Sequence, residues 1–261
     1  MEAILAGEGI ILRQKTSECC RCCCCQPNIH WMLTPYDPNW GIEKQYPTIA
    51  SISETNTTWC GRCCSFNAPG HRRTRYEVRA GVYDEEAPNG SRVLFMHEKE
   101  ESCGSNIYLG QTDNGQFRVP CCCYLPYLET KDDQGRKLGK TKFLCDACLF
   151  VPKFSVMNQN DDEVYRLRPD VCCLGCCVRC RCSCQKGGKC CRLPFLIRDP
   201  KTLEPLGGQV TDLWAGIKSE MCTRRNTYQI QYPPNCDNSM RATLLGSALL
   251  VDLVVFEQDQ D

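Results

Sequence analysis

The sequence predicts a mainly β domain of antiparallel strands, a sandwich or a barrel, ending in one apolar C-terminal segment. Three observations predict it. Turn signals recur along the chain at Asn89-Gly90, Asn114-Gly115, Gly135, Gly187-Gly188 and Gly207-Gly208. Between them lie short segments of alternating or β-rich pattern, and no amphipathic helix is evident before residue 239. From Ser239 to Phe256 the pattern changes and the chain is apolar nearly all round.

Tyr76, Val78, Ala80 and Val82 alternate with Arg75, Glu77, Arg79 and Gly81, as in a strand with one buried face. Shorter strands are expected at Arg92–Phe95, Asn106–Leu109, Lys153–Met157, Pro194–Arg198 and Thr227–Tyr232. No low-complexity linker divides the chain, which predicts one domain. Residues 1–70 form a Cys-rich N-terminal part that is expected to belong to the same β-structure.

The C-terminal segment could be a membrane span or a core helix. As a helix, 239–256 would measure about 27 Å. Its uncharged stretch, Ala242 to Val251, is only ten residues long and Asp252 interrupts it, where a span needs about 20. A helix apolar on every side and too short to span is expected inside the β-structure, with Gly246, Ser247 and Ala248 at its middle. A short acidic tail, 258–261, follows.

Composition narrows the function. The 261 residues carry 31 basic and 31 acidic side chains, which argues against a strongly basic nucleic-acid binder. Cysteine is the anomaly, at 26 residues. Met1 to Thr16 carries Glu2 and Glu8 and lacks a basic stretch followed by an apolar run, so no signal peptide is expected. In the reducing compartment this implies, cysteine points to metal, lipid or redox chemistry before disulfides.

The cysteines are clustered. Cys19, Cys20, Cys22, Cys23, Cys24 and Cys25 fall in seven residues; Cys60, Cys63 and Cys64, the run Cys121, Cys122, Cys123, and the pair Cys145 and Cys148 follow, with nine more from Cys172 to Cys191. Spaced pairs such as Cys60 with Cys63 and Cys145 with Cys148, or pairs from Cys173, Cys176, Cys177 and Cys180, could supply a tetrahedral zinc site. Adjacent runs suit zinc poorly, because neighbours on a strand point to opposite faces. Runs beside basic residues suit S-acylation, where stable anchoring takes more than one chain or a chain plus cations. The stretch 172–192 has nine cysteines with Arg179, Arg181, Lys186, Lys189 and Arg192 and no acid, a candidate anionic-lipid patch.

Several lookalikes are set aside. Gly135-Arg-Lys-Leu-Gly139-Lys140-Thr141 is one residue short of a phosphate-binding loop and lacks the following helix, so a lysine-rich hairpin is expected there. Asn56-Thr-Thr58 and Asn89-Gly-Ser91 match glycosylation acceptors but read as plain loops. His30, His71 and His97 show no catalytic motif, and no bond-breaking chemistry is expected.

The ordered set Cys121-Cys-Cys, Phe150-x-Pro152-Lys-Phe154, the basic Cys-rich hairpin from 172 and Trp214-Ala-Gly216 resembles the phospholipid scramblase family. So does the final block, Tyr228-Gln-Ile-Gln-Tyr-Pro233, Met240-Arg-Ala, then Leu244-Leu-Gly246 through Asp252 to Phe256-Glu257. Order and spacing agree over roughly 120–257. The resemblance implies a tubby-like fold over 71–257: a closed antiparallel β-barrel around a central hydrophobic C-terminal helix, 239–256. It implies ATP-independent, bidirectional phospholipid movement triggered by calcium, and acylation of Cys121, Cys122 and Cys123. It also implies residence on the cytoplasmic face of the plasma membrane. Phospholipid membranes and anionic lipids are the expected partners.

The chain departs from the family at its calcium segment. Arg224, Asn226 and Asn235 stand where acidic residues are expected, and Asp237 is the nearest carboxylate. Calcium takes 6–8 oxygens and favours charged ones, so weak or absent binding is expected. The proline-rich N-terminal extension and the basic nuclear-import residues before Trp214, found in some members, are also missing from this sequence. Two functions follow: a lipid-facing scramblase-type protein held by acylated cysteines, or an interaction scaffold on the same barrel whose cysteine pairs could bind zinc.

Overall fold

The computed structural model of the chain describes residues 1–15, 29–39, 44, 46–55, 74–82, 91–99, 110–112, 115–117, 125–144, 152–172, 177–178, 192–213 and 226–256. A short turn of helix, α1 (Glu2–Leu5), leads into β1 (Gly9–Lys15). The strands then run β2 (His30–Pro35), β3 (Ala50–Thr55), β4 (Thr74–Ala80) and β5 (Val93–Lys99). A separate hairpin, β6 (Gly110–Thr112) and β7 (Gly115–Phe117), precedes β8 (Tyr127–Asp132), β9 (Lys137–Leu144), β10 (Lys153–Asn158) and β11 (Glu163–Pro169). A second small hairpin, β12 (Val171–Cys172) and β13 (Cys177–Val178), precedes β14 (Arg192–Arg198), β15 (Pro205–Leu213), β16 (Thr227–Gln231) and the helix α2 (Asn238–Val251). Twelve strands form a closed antiparallel barrel in the order β1-β16-β15-β14-β11-β10-β9-β8-β5-β4-β3-β2. Closure removes the sheet edges.

Alternation drives the barrel. In β4, Thr74, Tyr76 and Val78 are buried while Arg75, Glu77 and Arg79 are half-buried outside. In β8, Leu128, Thr130 and Asp132 are buried between Tyr127, Glu129 and Lys131. The inward rows place Ile10, Leu12, Trp31, Leu33, Ile52, Tyr76, Val78, Phe95, Phe154, Phe195 and Ile230 in one core. Strands β1, β2 and β3 take their places in that barrel, β1 against both β2 and β16.

The helix fills the barrel. Every residue of α2 from Ala242 to Val251 is buried, and it packs on β8, β9, β10, β16 and α1. This is the core position its length and all-round apolarity imply. Asp237 caps its N-terminus, the carboxylate accepting from the Met240 amide at 3.1 Å. A π-helical segment, Asp252–Phe256, continues it. Among the described residues no helix is long and apolar enough to cross a membrane.

One local expectation differs from what is found. Gly207-Gly208 is no turn; both lie inside β15, where the β14–β15 register shifts between Leu196 and Arg198. Gly207 has φ +87, and a Cβ on Gly208 would sit 2.7 Å from the Pro233 nitrogen, so the pair marks a bulge pressed against the neighbouring chain. The turn itself comes earlier, where Asp199 accepts from the amides of Lys201 and Thr202, both at 2.8 Å. The segment Asn106–Leu109 and the Asn89-Gly90 turn lie outside the described residues. The lysine-rich hairpin forms as expected: β8 turns through Gly135 (φ +79) into β9 with no helix after it.

Candidate functional site

Antiparallel order fixes which connections share an end of the barrel. At one rim lie the short connections 36–49, 81–92, 133–136, 159–162, 199–204 and 232–237. At the other lie 16–29, 56–73, 100–126, 145–152, 170–191 and 214–226. The connections at this second rim carry 25 of the 26 cysteines. The strand ends that flank these connections thus share one rim by topology alone. The exception, Cys236, is buried at the opposite rim, and burial holds its thiol above the ordinary value. That marks it as a packed structural cysteine.

Cys19, Cys20, Cys22, Cys23, Cys24, Cys25, Cys60, Cys63, Cys121, Cys122, Cys123, Cys145 and Cys148 lie outside the described residues, as do Arg179, Arg181, Lys186 and Lys189. Arg192 opens β14 at the cysteine-bearing rim. Among the described residues no group of three His, Cys, Asp or Glu side chains could hold a metal ion.

The calcium-segment residues are described, and they do not converge. Asn226 lies at the cysteine-bearing rim, where its side-chain amide donates to Asp252 at 2.6 Å. Tyr228 donates to the same carboxylate oxygen at 2.8 Å. Asn235, with φ +60, and the cap Asp237 lie at the short-turn rim. The 14-residue helix between these two ends is about 21 Å long. One ion cannot bridge that distance, and both Asn226 and Asp237 already serve as local hydrogen-bonding groups.

Inside the barrel the helix presents its small residues to a polar layer. A Cβ on Gly246 would stand 2.6 Å from Nδ1 of His97, and one on Gly139 only 2.4 Å from Oγ1 of Thr243. His97 is fully buried, its Nδ1 3.0 Å from Oγ1 of Thr130, and burial lowers its pKa to about 3. Its Nε2 has no hydrogen-bond partner among the described residues. Thr141 and Ser247 join at 2.7 Å across the β9–helix contact. No sequence motif marks this layer; its cue is the run Gly246, Ser247, Ala248, since small residues mid-helix admit close approach of a strand.

Outside, the charges of β4, β5 and β8 are paired. Arg75 bonds Glu98 at 2.8 Å, Lys131 takes the other oxygen of that carboxylate, and Arg79 bonds Glu77 at 2.6 Å. Burial raises the Glu98 carboxyl, but Lys131 and Arg75 outweigh it and hold it below its ordinary value.

The family model described as Scramblase matches residues 43–258. Phospholipid scramblase 2 of Bos taurus is 29% identical over 204 residues, covering 70% of this chain and 61% of that protein. Phospholipid scramblase 1 of Mus musculus is 28% identical over 203 residues, covering 70% of this chain and 55% of its own length. Human phospholipid scramblase 1 is 29% identical over 189 residues, 64% of this chain and 54% of that one. The chain thus spans between about half and three fifths of these relatives. No solved structure matches. The likeness begins well before residue 120, where the motifs alone set its start, and on this evidence the chain belongs to the scramblase family.

Proposed function

We propose that the protein is a membrane-associated phospholipid scramblase-type protein that moves phospholipids between leaflets in both directions without ATP. The observation that carries this reading is the family match over residues 43–258. The gathering of the cysteine-bearing connections at one rim supports acylation there, because several chains from one end hold a body to a bilayer far better than one. Acylated at Cys121–Cys123 or Cys19–Cys25, the barrel would sit on the cytoplasmic face of the plasma membrane. Calcium control is weak or lost: Asn226 and Asp237 stand at opposite ends of the helix, each in its own hydrogen bond.

The test is dithionite quenching of fluorescent phospholipid in liposomes carrying the purified protein, with calcium and with chelator. Quenching beyond the outer-leaflet half, equal in both conditions, is the expected result. The same spacing that favours acylation allows a second reading. A barrel whose interior is filled by its own helix offers no evident route for a headgroup, which favours an interaction scaffold. No added quenching from inserted protein would select it, and metal analysis would then ask whether Cys60, Cys63, Cys145 and Cys148 hold zinc.

A further inference from the structure

The outer face of β9, β10, β11 and β14 differs from the paired face beside it. Lys140 and Lys142 point outward from β9, since Gly139 and Thr141 between and beside them face the helix. Lys142 stands opposite Ser155, Ser155 opposite Arg166, and Arg166 opposite Arg198, one row across four strands. Arg168 lies on the same outer face, one row nearer the cysteine-bearing rim, whereas the outward Lys153 and Ser155 of β10 are buried, 5% and 2% exposed. Five partly exposed cations thus lie on β9, β11 and β14. Among the described residues of these rows the one carboxylate is Glu163, which bonds Arg166 at 2.7 Å. Glu129 of β8 borders the patch opposite Lys140 and pairs with Lys131 and Lys137, both at 3.6 Å.

Like charges directly opposite on a sheet destabilise it, and Arg166 with Arg198 is such a pair. Strands stand about 4.8 Å apart, inside the Debye length of about 8 Å at physiological salt, so the potentials of these side chains add. Lys142 and Arg168 make no side-chain hydrogen bond or ion pair among the described residues and are partly exposed. The connection 170–191, with Arg179, Arg181, Lys186 and Lys189, joins two of the patch's own strands, β11 and β14.

We propose that the outward cations of β9, β11 and β14 dock on an anionic lipid surface and set which side of the barrel faces the membrane. It rests on the membrane-associated reading above and adds to it a surface built from the strands themselves. An extended, one-signed, cationic face suits a leaflet of negative headgroups better than a compact ligand, because no pocket or single focus of donors is needed. Each cation at such a surface acts additively with its neighbours.

The test is sedimentation of the full chain with vesicles of phosphatidylcholine alone and with 30% phosphatidylserine. The proteins compared are the wild type, the triple variant Lys140→Gln/Lys142→Gln/Arg168→Gln, and a control, Lys201→Gln, on the short-turn rim. The wild type should bind the anionic vesicles, lose binding in 0.5 M salt, and match the control. The triple variant should bind about 100-fold more weakly, about fivefold per charge. Circular dichroism and the urea midpoint establish that it is folded; should it not be, the single variants Lys142→Gln and Arg168→Gln carry the comparison at about fivefold each. Equal binding by wild type and variant would overturn the docking face while leaving scrambling, read separately by dithionite, untouched. Wild-type protein held by an immobilised acidic polypeptide but not by vesicles would overturn it in favour of an acidic protein partner.

Discussion

His97 and Glu98 are neighbours in β5 and live under different rules. His97 points inward, meets Thr130 and the bare backbone of Gly246, and stays neutral because burial forbids its charge. Glu98 points outward, is charged, and is held between Arg75 and Lys131, whose other sides reach water. The same division runs along β8 and β9, with Thr130 and Thr141 inside and Lys131 and Lys142 outside. Inside, His97 meets Thr130 and Thr141 meets Ser247 of the helix, each pair closed off from water. Outside, charges share partners and solvent, so single losses are absorbed and only their sum over a face matters.

The sharpest test of this contrast is pH. With the folded His97 pKa near 3 and its ordinary value 6.5, the unfolded chain takes up a proton below 6.5 while the folded chain does not. Stability therefore falls as pH drops from 6.5 toward 3, by up to about 1.4 kcal/mol per unit from this group. Urea midpoints at pH 6.5 and 4.5 should differ more in the wild type than in His97→Gln, by about 2–3 kcal/mol. Glu98 works with the same sign in a lower window: its carboxyl is depressed, so its contribution is present above its ordinary value of 4.5 and lost only below it. An equal slope in the two proteins between pH 6.5 and 4.5 would break the comparison.

Gly246→Ala comes next. The added methyl would lie 2.6 Å from a ring that is fully buried, and the expected loss is about 2 kcal/mol by denaturant titration. Ser247→Ala removes the 2.7 Å partner of Thr141 and should cost about 1 kcal/mol, much of it recovered by adding Thr141→Val, which removes the orphan. Smallest is Glu98→Gln, with an expected loss below about 1 kcal/mol, since Arg75 and Lys131 are 39% and 18% exposed and can be rehydrated. A larger loss there than at Gly246 would show that the outer network is as individually fitted as the core.

The legible parts of the fold are those governed by local pattern. β4, β10, β14 and β16 fall within a few residues of their expected spans because one face alternates or the run is β-rich. The helix was legible because apolarity on every side, too short for a bilayer, has one soluble solution. β3 was not legible by alternation, since Ala50 through Glu54 are all buried and outward Ser51 and Ser53 are covered as well. The glycines of β15 misled because a bulge and a turn both favour glycine. At the site, the cysteine clusters were visible, but that their flanking strands end at one rim was not, because it depends on antiparallel order and not on spacing. The pairing of Gly246 with His97 joins residues 149 apart, a relation no local window contains.

The order of elements also bears on how the chain is made. The first barrel strand, β1, is zipped to the last, β16, with Leu12 opposite Tyr228. The filling of the barrel, α2, follows every barrel strand in the chain and leaves the ribosome after them. Until then the emerging chain is a set of hairpins whose inner faces have nothing to cover them. Contacts this distant in sequence make for slow closure, and the interval exposes apolar strands to their neighbours. A nascent chain stalled before residue 238 is therefore expected to need chaperones, and the barrel is complete only once α2 has emerged.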